Sequence, residues 1–260
     1  MTDPRTTPIR HGAEVAGGTM RTVVRGRAAL RALPSPDAVQ DDEVLFGESV
    51  AVFETRDGWS WCQSCVDRYV GYVQDIALGD PVGADHRVTA LATPLLNGPD
   101  IKHAARDMLP FNAGVKLLTV ANGYALIENG GYIFQGHLAP LKNTAPDWVA
   151  TAERFIGTPY VWGGKTHAGM DCSGLVQTAL AGSGIAAPRD TDMQERALGT
   201  ECSSSRCRRG DIVFWPGHVG IMLDAERLLH ANSFHMQVEV EPLAAALARI
   251  ADKVTAIKRV

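Results

Sequence analysis

The sequence lacks long apolar runs. Nowhere does it approach the roughly 18 consecutive apolar residues of a membrane-spanning helix. Its first thirty residues hold no apolar stretch longer than Ala28-Ala29-Leu30, and Arg5, Arg10, Arg21, Arg25 and Arg27 interrupt them. An export signal needs an apolar core of about 7–15 residues. The expectation is therefore a cytoplasmic protein with no membrane insertion. A basic surplus is missing too: residues 1–140 hold 12 Lys and Arg against 16 Asp and Glu, and residues 141–260 hold 13 of each. Phosphate backbones need concentrated positive charge, so a nucleic-acid partner is not expected. Cysteine is scarce and odd in number, at positions 62, 65, 172, 202 and 207. At least one thiol is left outside any internal pairing, and without an export signal all five are expected to be reduced. Cys62-Gln-Ser-Cys65 has metal-ligand spacing, but Cys202 and Cys207 lie far along the chain and no histidine accompanies either pair. Zinc is disfavoured, and no metal or cofactor is expected.

With 260 residues the chain can bury a sizeable core and hold two or three modules. Its first half repeats itself. Phe46-Gly47-Glu48-Ser49-Val50 returns loosely as Phe111-Asn112-Ala113-Gly114-Val115, and Tyr69-Val70-Gly71-Tyr72-Val73 as Asn129-Gly130-Gly131-Tyr132-Ile133. Each copy alternates apolar with polar residues between turn formers such as Asp57-Gly58 and Asn122-Gly123, which predicts a small all-β barrel present twice. The first copy, about 22–80, resembles bacterial SH3-like domains through Gly47-Glu48-Ser49-Val50, Asp57-Gly58-Trp59 and Tyr69-Val70-Gly71-Tyr72-Val73. The second, about 86–140, is a degenerate copy, expected to be structural and to pack between the first barrel and the domain that follows.

From residue 144 the pattern changes. Thr144-Ala-Pro-Asp147 signals a helix start, and Trp148, Val149, Ala152, Phe155 and Ile156 share one helical face. Further helices are predicted from about Cys172 to Gly182 or Gly184, after Asp190-Thr191 up to Gly199, and over about 242–251. Short strands are predicted at 211–215, 218–224, 227–232 and 236–241. Helices followed by an antiparallel sheet define an α+β domain over 145–260.

Chemistry concentrates at Cys172. A glycine-rich approach, Trp162-Gly163-Gly164, leads to Asp171-Cys172-Ser173-Gly174 at the start of an apolar helical run. A helix start favours thiolate over thiol, so Cys172 is expected to titrate well below a free cysteine. Pro216-Gly217 turns two predicted strands and sets His218 at a strand mouth, where it can serve as base, with His230 on the next strand to orient it. His167 and His235 read as solvated.

Residues 145–260 resemble the NlpC/P60 family of papain-like cysteine peptidases. Four motifs carry the resemblance: Pro159-Tyr160-Val161-Trp162-Gly163-Gly164, Asp171-Cys172-Ser173-Gly174-Leu175-Val176, Arg209-Gly210-Asp211-Ile212-Val213-Phe214-Trp215 and His218-Val219-Gly220-Ile221. It implies Cys172 as nucleophile, His218 as base, His230 as the polar residue behind it, and Tyr160 as an oxyanion donor beside the Cys172 backbone N–H. Trp162 would wall the cleft or pack as core. The implied reaction is hydrolysis of the bond between γ-D-Glu and the diamino acid of peptidoglycan stem peptides. Similarity to the dipeptidyl-type members implies a free N-terminal L-Ala, hence recycled muropeptides. Asp171 and Ser173 would then hold the amine, with Glu48 and Tyr69 closing the pocket. Arg189 would pair with the α-carboxylate of D-Glu, flanked by Asp190 and Thr191.

Plainer readings stand beside these: Asp171 as a helix cap, Asp190 or Thr191 as the cap of the next helix, and Glu48 as a solvated turn acid. Two other functions also stay open. One is a papain-like amidase or acyltransferase on another amide or lipid; the other is a wall-peptide-binding protein without turnover.

Overall fold

The structure is a computed structural model describing residues 17–202 and 207–260, so the expectation about a leader in residues 1–16 lies outside the described residues. The chain divides into two compact units, Met1–Asn143 and Thr144–Val260.

The first unit is built of strands. The first copy supplies β1 (Thr19–Val23), β2 (Arg27–Arg31), β3 (Gln40–Leu45), β4 (Ser49–Arg56), β5 (Trp59–Ser64), β6 (Val70–Gln74) and β7 (Leu78–Gly79). The second supplies β8 (His86–Val88), β9 (Ala92–Leu96), β10 (Ala105–Pro110), β11 (Gly114–Val115), β12 (Leu117–Ala121), β13 (Tyr124–Ile127), β14 (Tyr132–Phe134) and β15 (Leu138–Pro140). The repeat is visible in the turns. Asp57-Gly58 and Asn122-Gly123 both have positive φ at each residue and join β4 to β5 and β12 to β13, the two-residue hairpin geometry that such pairs favour. Each copy also has a single 3-10 turn just before its last strand, Asp75–Ala77 and Gln135–His137.

Among the described residues, strand pairing shows no closed ring in either copy. The first forms one seven-stranded sheet in the order β3-β2-β6-β5-β4-β1-β7, and among the described residues no pairing joins its two edges. The second divides into a five-stranded sheet, β10-β9-β14-β13-β12, and a three-stranded one, β11-β8-β15. One core gathers Val23, Leu30, Val44, Val50, Cys62, Tyr69 and Val73. The other gathers Val88, Leu95, Leu109, Val115, Ile127 and Ile133 around Phe46, a residue of the first copy. The Gly114 N–H donates to the Phe46 carbonyl at 2.8 Å, so the two copies share both backbone bonding and core.

The second unit sets helices on an antiparallel sheet. Its elements are α1 (Trp148–Glu153), a small hairpin of β16 (Lys165–Thr166) and β17 (Gly169–Met170), α2 (Cys172–Gly182), α3 (Thr191–Ala197), β18 (Thr200–Glu201), β19 (Asp211–Trp215), β20 (His218–Met222), β21 (Arg227–Asn232), β22 (Gln237–Pro242), α4 (Leu243–Arg249) and β23 (Ala256–Arg259). Sheet order is β18-β23-β19-β20-β21-β22. Pro146 stands before the first helix, not inside it: Asp147 is the cap, accepting from the Val149 and Ala150 N–H groups. Arg209 ties that cap to the sheet side by pairing with Asp147 and Glu153. The helix α2 is not half-exposed, as an apolar stripe suggests; all its residues except Ala181 are buried, the condition of a central helix. Its polar members find backbone partners: Thr178 donates to the Lys165 carbonyl and Gln177 to that of Ala187. Asp211, fully buried, receives two donors from Arg259 and so fastens the unpredicted strand β23 against β19. Among the described residues no helix is long and apolar enough to cross a membrane.

Candidate active site

Cys172 opens α2 and is 6 % exposed. Asp171 before it caps the helix, accepting from the Gly174 N–H at 2.7 Å and from the Gly163 N–H at 2.9 Å. The loop and helix start must approach closely for this. A Cβ on Gly174 would lie 2.3 Å from the Gly164 carbonyl oxygen, a distance no side chain tolerates, so glycine there is a requirement. Arg189, 1 % exposed, locks the arrangement from the other side. Its guanidinium donates to both Asp171 oxygens at 2.9 and 2.6 Å and to Ser173 Oγ at 2.9 Å.

The imidazoles come from adjacent strands. His218 begins β20 and His230 sits in β21, fully buried. His218 Nε2 lies 2.8 Å from His230 Nδ1, leaving His218 Nδ1 as the nitrogen available to a thiol. Val219, the next residue, donates its backbone N–H to the Cys172 sulfur. Thr191 Oγ1, from the first residue of α3, is 3.8 Å from the same sulfur. Among the described residues no direct hydrogen bond joins Sγ to His218; such contacts often tighten only once substrate is bound. Behind His230 the chain of contacts continues. Its Nε2 is 2.7 Å from Glu241 Oε1. Arg249 donates one nitrogen to Glu241 Oε2 at 2.7 Å and another to Oε1.

Electrostatics overturn the expectation of a resting thiolate. Burial pushes the Cys172 thiol up to about 11, reinforced by the Asp171 carboxylate; Thr191, the Val219 N–H and Arg189 oppose this less strongly. Removing the sulfur from water outweighs the helix start, because desolvation penalises the charged form directly. Burial likewise brings His218 down to about 4, with His230 and Arg249 adding to the shift. His230 is also lowered, by burial first. Both shifts favour the neutral forms, thiol and imidazole. Tyr160, half-buried, has its phenol raised by burial and by the nearby Cys172 and Asp171, so it remains a proton donor.

Other predicted residues fall in varied places. Arg189 is not a free fork for a substrate carboxylate, since Asp171 and Ser173 already take its donors. Asp190 precedes α3 without a side-chain cap bond, whereas Thr191 faces the sulfur. Trp162 is 58 % exposed, hence no part of a core. His167 and His235 are half-buried, not solvated, and His235 bonds to Asn232 Oδ1. Glu48 and Tyr69 belong to the other unit. There Glu48 accepts from the Leu45 N–H at 3.0 Å, which makes it a turn-holding acid and not a fully solvated one, and Tyr69 is a core residue. Sequence reasoning missed Glu241 and Arg249. The only available signal was the alternation Glu239-Val240-Glu241, which puts two acids on one face of a strand beside His230.

Comparison with known proteins follows the same division. Residues 157–252 match the NlpC/P60 family, and residues 30–78 match the bacterial dipeptidyl-peptidase Sh3 domain. The chain therefore carries an NlpC/P60 domain behind a bacterial SH3 domain. Over most of its length it is similar to dipeptidyl-peptidase 6 of Lysinibacillus sphaericus, 28 % identical across 85 % of this chain and 90 % of that protein. It is also 26 % identical to the gamma-D-glutamyl-L-lysine dipeptidyl-peptidase of Bacillus subtilis strain 168, across 78 % of this chain and 76 % of the relative. In fold it matches the crystal structure of an NlpC/P60 family protein from Bacillus cereus ATCC 10987, with a TM-score of 0.77 at 19 % identity, covering 93 % of this chain and 99 % of that one.

Proposed function

We propose that this protein is a cysteine peptidase that hydrolyses the γ-D-Glu–diamino acid bond of peptidoglycan stem peptides bearing a free N-terminal L-Ala. The observation that carries this reading is the union of two facts. Cys172 stands at a helix start, its sulfur accepts from the Val219 N–H next to His218, and His218 is bonded to His230, which supports a nucleophile-and-base reading. Relatives spanning most of the chain are named dipeptidyl-peptidases, one of them for the γ-D-glutamyl-L-lysine bond. In this account the two N-terminal copies are both SH3-like folds, the second a degenerate one, and the natural setting is turnover of wall peptides in the cytoplasm.

The chemistry proceeds from a neutral pair. The Cys172 sulfur attacks the γ-carbonyl carbon while its proton passes to His218 Nδ1. The developing oxyanion is met by the Cys172 backbone N–H, one of the unpaired donors of a helix start, and by the Tyr160 hydroxyl. Collapse breaks the C–N bond, and the proton on His218 leaves with the amine of the diamino acid. Water then gives a proton to His218 and attacks the thioester; the carboxylate departs and the thiol regains its proton. His230 holds the base in place throughout. Trp162, exposed near the start of the glycine loop, is available as a cleft wall.

Mass analysis of L-Ala-γ-D-Glu-diamino acid peptides after incubation tests this reading. Cleavage by the native protein and none by Cys172→Ala or His218→Ala is the expected result; cleavage that survives Cys172→Ala contradicts it.

A further inference from the structure

Behind the two histidines lies an acidic residue that the reaction scheme does not yet use. Glu241 lies on β22, two residues beyond Glu239, which pairs with His230 across the β21–β22 ladder. Period-2 alternation puts Glu241 on the His230 face, and diagonal neighbours in a ladder are within reach of long side chains. Both Glu241 and His230 are buried, and Glu241 Oε1 is 2.7 Å from His230 Nε2. From α4, Arg249 donates to both carboxylate oxygens. Its guanidinium also stands 4.3 Å from the Phe234 ring centroid, so it is held from two sides. Arg249 and His230 bring the Glu241 carboxyl down to about 2, which keeps it ionised.

An ionised carboxylate only accepts hydrogen bonds, so His230 Nε2 must carry the proton. A neutral imidazole has one N–H, which makes His230 Nδ1 a lone pair. The facing His218 Nε2, 2.8 Å away, must then be the donor of that bond. One lone pair remains on His218, and it is on Nδ1, the nitrogen left for Cys172. We propose that Glu241, clamped by Arg249, is a positioning residue that fixes the tautomers of His230 and His218 in series, so that the basic lone pair of His218 is on Nδ1. Without Glu241 the chain can run the other way: His230 Nδ1–H donates to His218 Nε2, and the proton sits on the nitrogen that should be free. The inference rests on His218 being the base of the proposed peptidase.

Nitrogen-15 spectra of histidine-labelled native protein at neutral pH test it without any substrate. The expected pattern is a protonated Nε2 and an unprotonated Nδ1 for both His218 and His230; a protonated Nδ1 on His218 overturns the proposal. Glu241→Gln is the companion variant, because its amide can donate as well as accept and so no longer dictates the direction. Mixed tautomers and a kcat lowered by ~10-fold or more with KM nearly unchanged are expected, since general-base catalysis is lost in the transition state alone. A purely structural residue would lower the melting temperature while leaving tautomers and kcat intact, and that outcome also overturns it. If native protein shows the expected tautomers yet cleaves no stem peptide, the proposed substrate is wrong and the tautomer assignment stands.

Discussion

Arg189 grips both carboxylate oxygens of Asp171, at 2.9 and 2.6 Å, with almost no contact with solvent. The pair joins the segment before α3 to the cap of the nucleophile's helix. It also places a positive charge where the sequence suggested a substrate anion would bind.

Arg189→Ala leaves a buried carboxylate without its partner, which costs roughly 3–5 kcal/mol. Thermal unfolding of this variant is expected at a clearly lower temperature. Arg189→Lys should restore little, because a point charge cannot replace a fork that satisfies two oxygens at once. An Arg189→Lys variant as stable as the native protein would show that the bidentate geometry is unimportant.

Resting Cys172 is expected to alkylate slowly, with a midpoint above that of an ordinary thiol and near 11. Iodoacetamide modification followed against pH, with Cys172→Ala subtracted to remove the exposed Cys65, measures this. A midpoint below the ordinary cysteine range would restore the thiolate–imidazolium picture.

The acid limb of kcat/KM should reach further down than that of an ordinary histidine. Catalysis needs neutral His218. Its folded value lies below the usual 6.5 at about 4, so the active form persists as pH falls through 6.5 and is lost only on approach to 4. A limb centred at or above 6.5 would contradict the burial argument.

Much of the site was legible because its signals are local. Asp171-Cys172-Ser173-Gly174 encodes a cap, the proposed nucleophile and a close approach within four residues, and Pro216-Gly217-His218 encodes a turn with the proposed base at its exit. The strands carrying His218 and His230 were readable from their apolar runs for the same reason. What escaped depends on contacts distant in sequence. Glu241 meets His230 only through the β21–β22 register, and Arg249 reaches it from a separate helix. Strand β23 was invisible because its pairing partner β19 lies far earlier and Arg259 is held by Asp211. The upward push on the thiol was not legible because a helix start is visible in sequence, whereas burial of the sulfur is not. Barrel closure could not be read because repeats predict strands and turns but not which edges meet.

The proposed substrate bears a free N-terminal L-Ala, and blocking that amine tests the proposal. N-acetylated or muramic-acid-linked peptides are expected to be cut at least ~10-fold more slowly, because blocking removes the positive charge of the amine and adds bulk at that end. Equal rates on free and blocked peptides would remove the amine requirement.

The most direct measurement is the mass of the products formed from L-Ala-γ-D-Glu-diaminopimelate and from its L-Lys counterpart. The account predicts release of the dipeptide L-Ala-γ-D-Glu and the free diamino acid from at least one of them, with none formed by Cys172→Ala. Products that retain an intact γ-D-Glu–diamino acid bond, or no cleavage of either peptide by folded native protein, would contradict it.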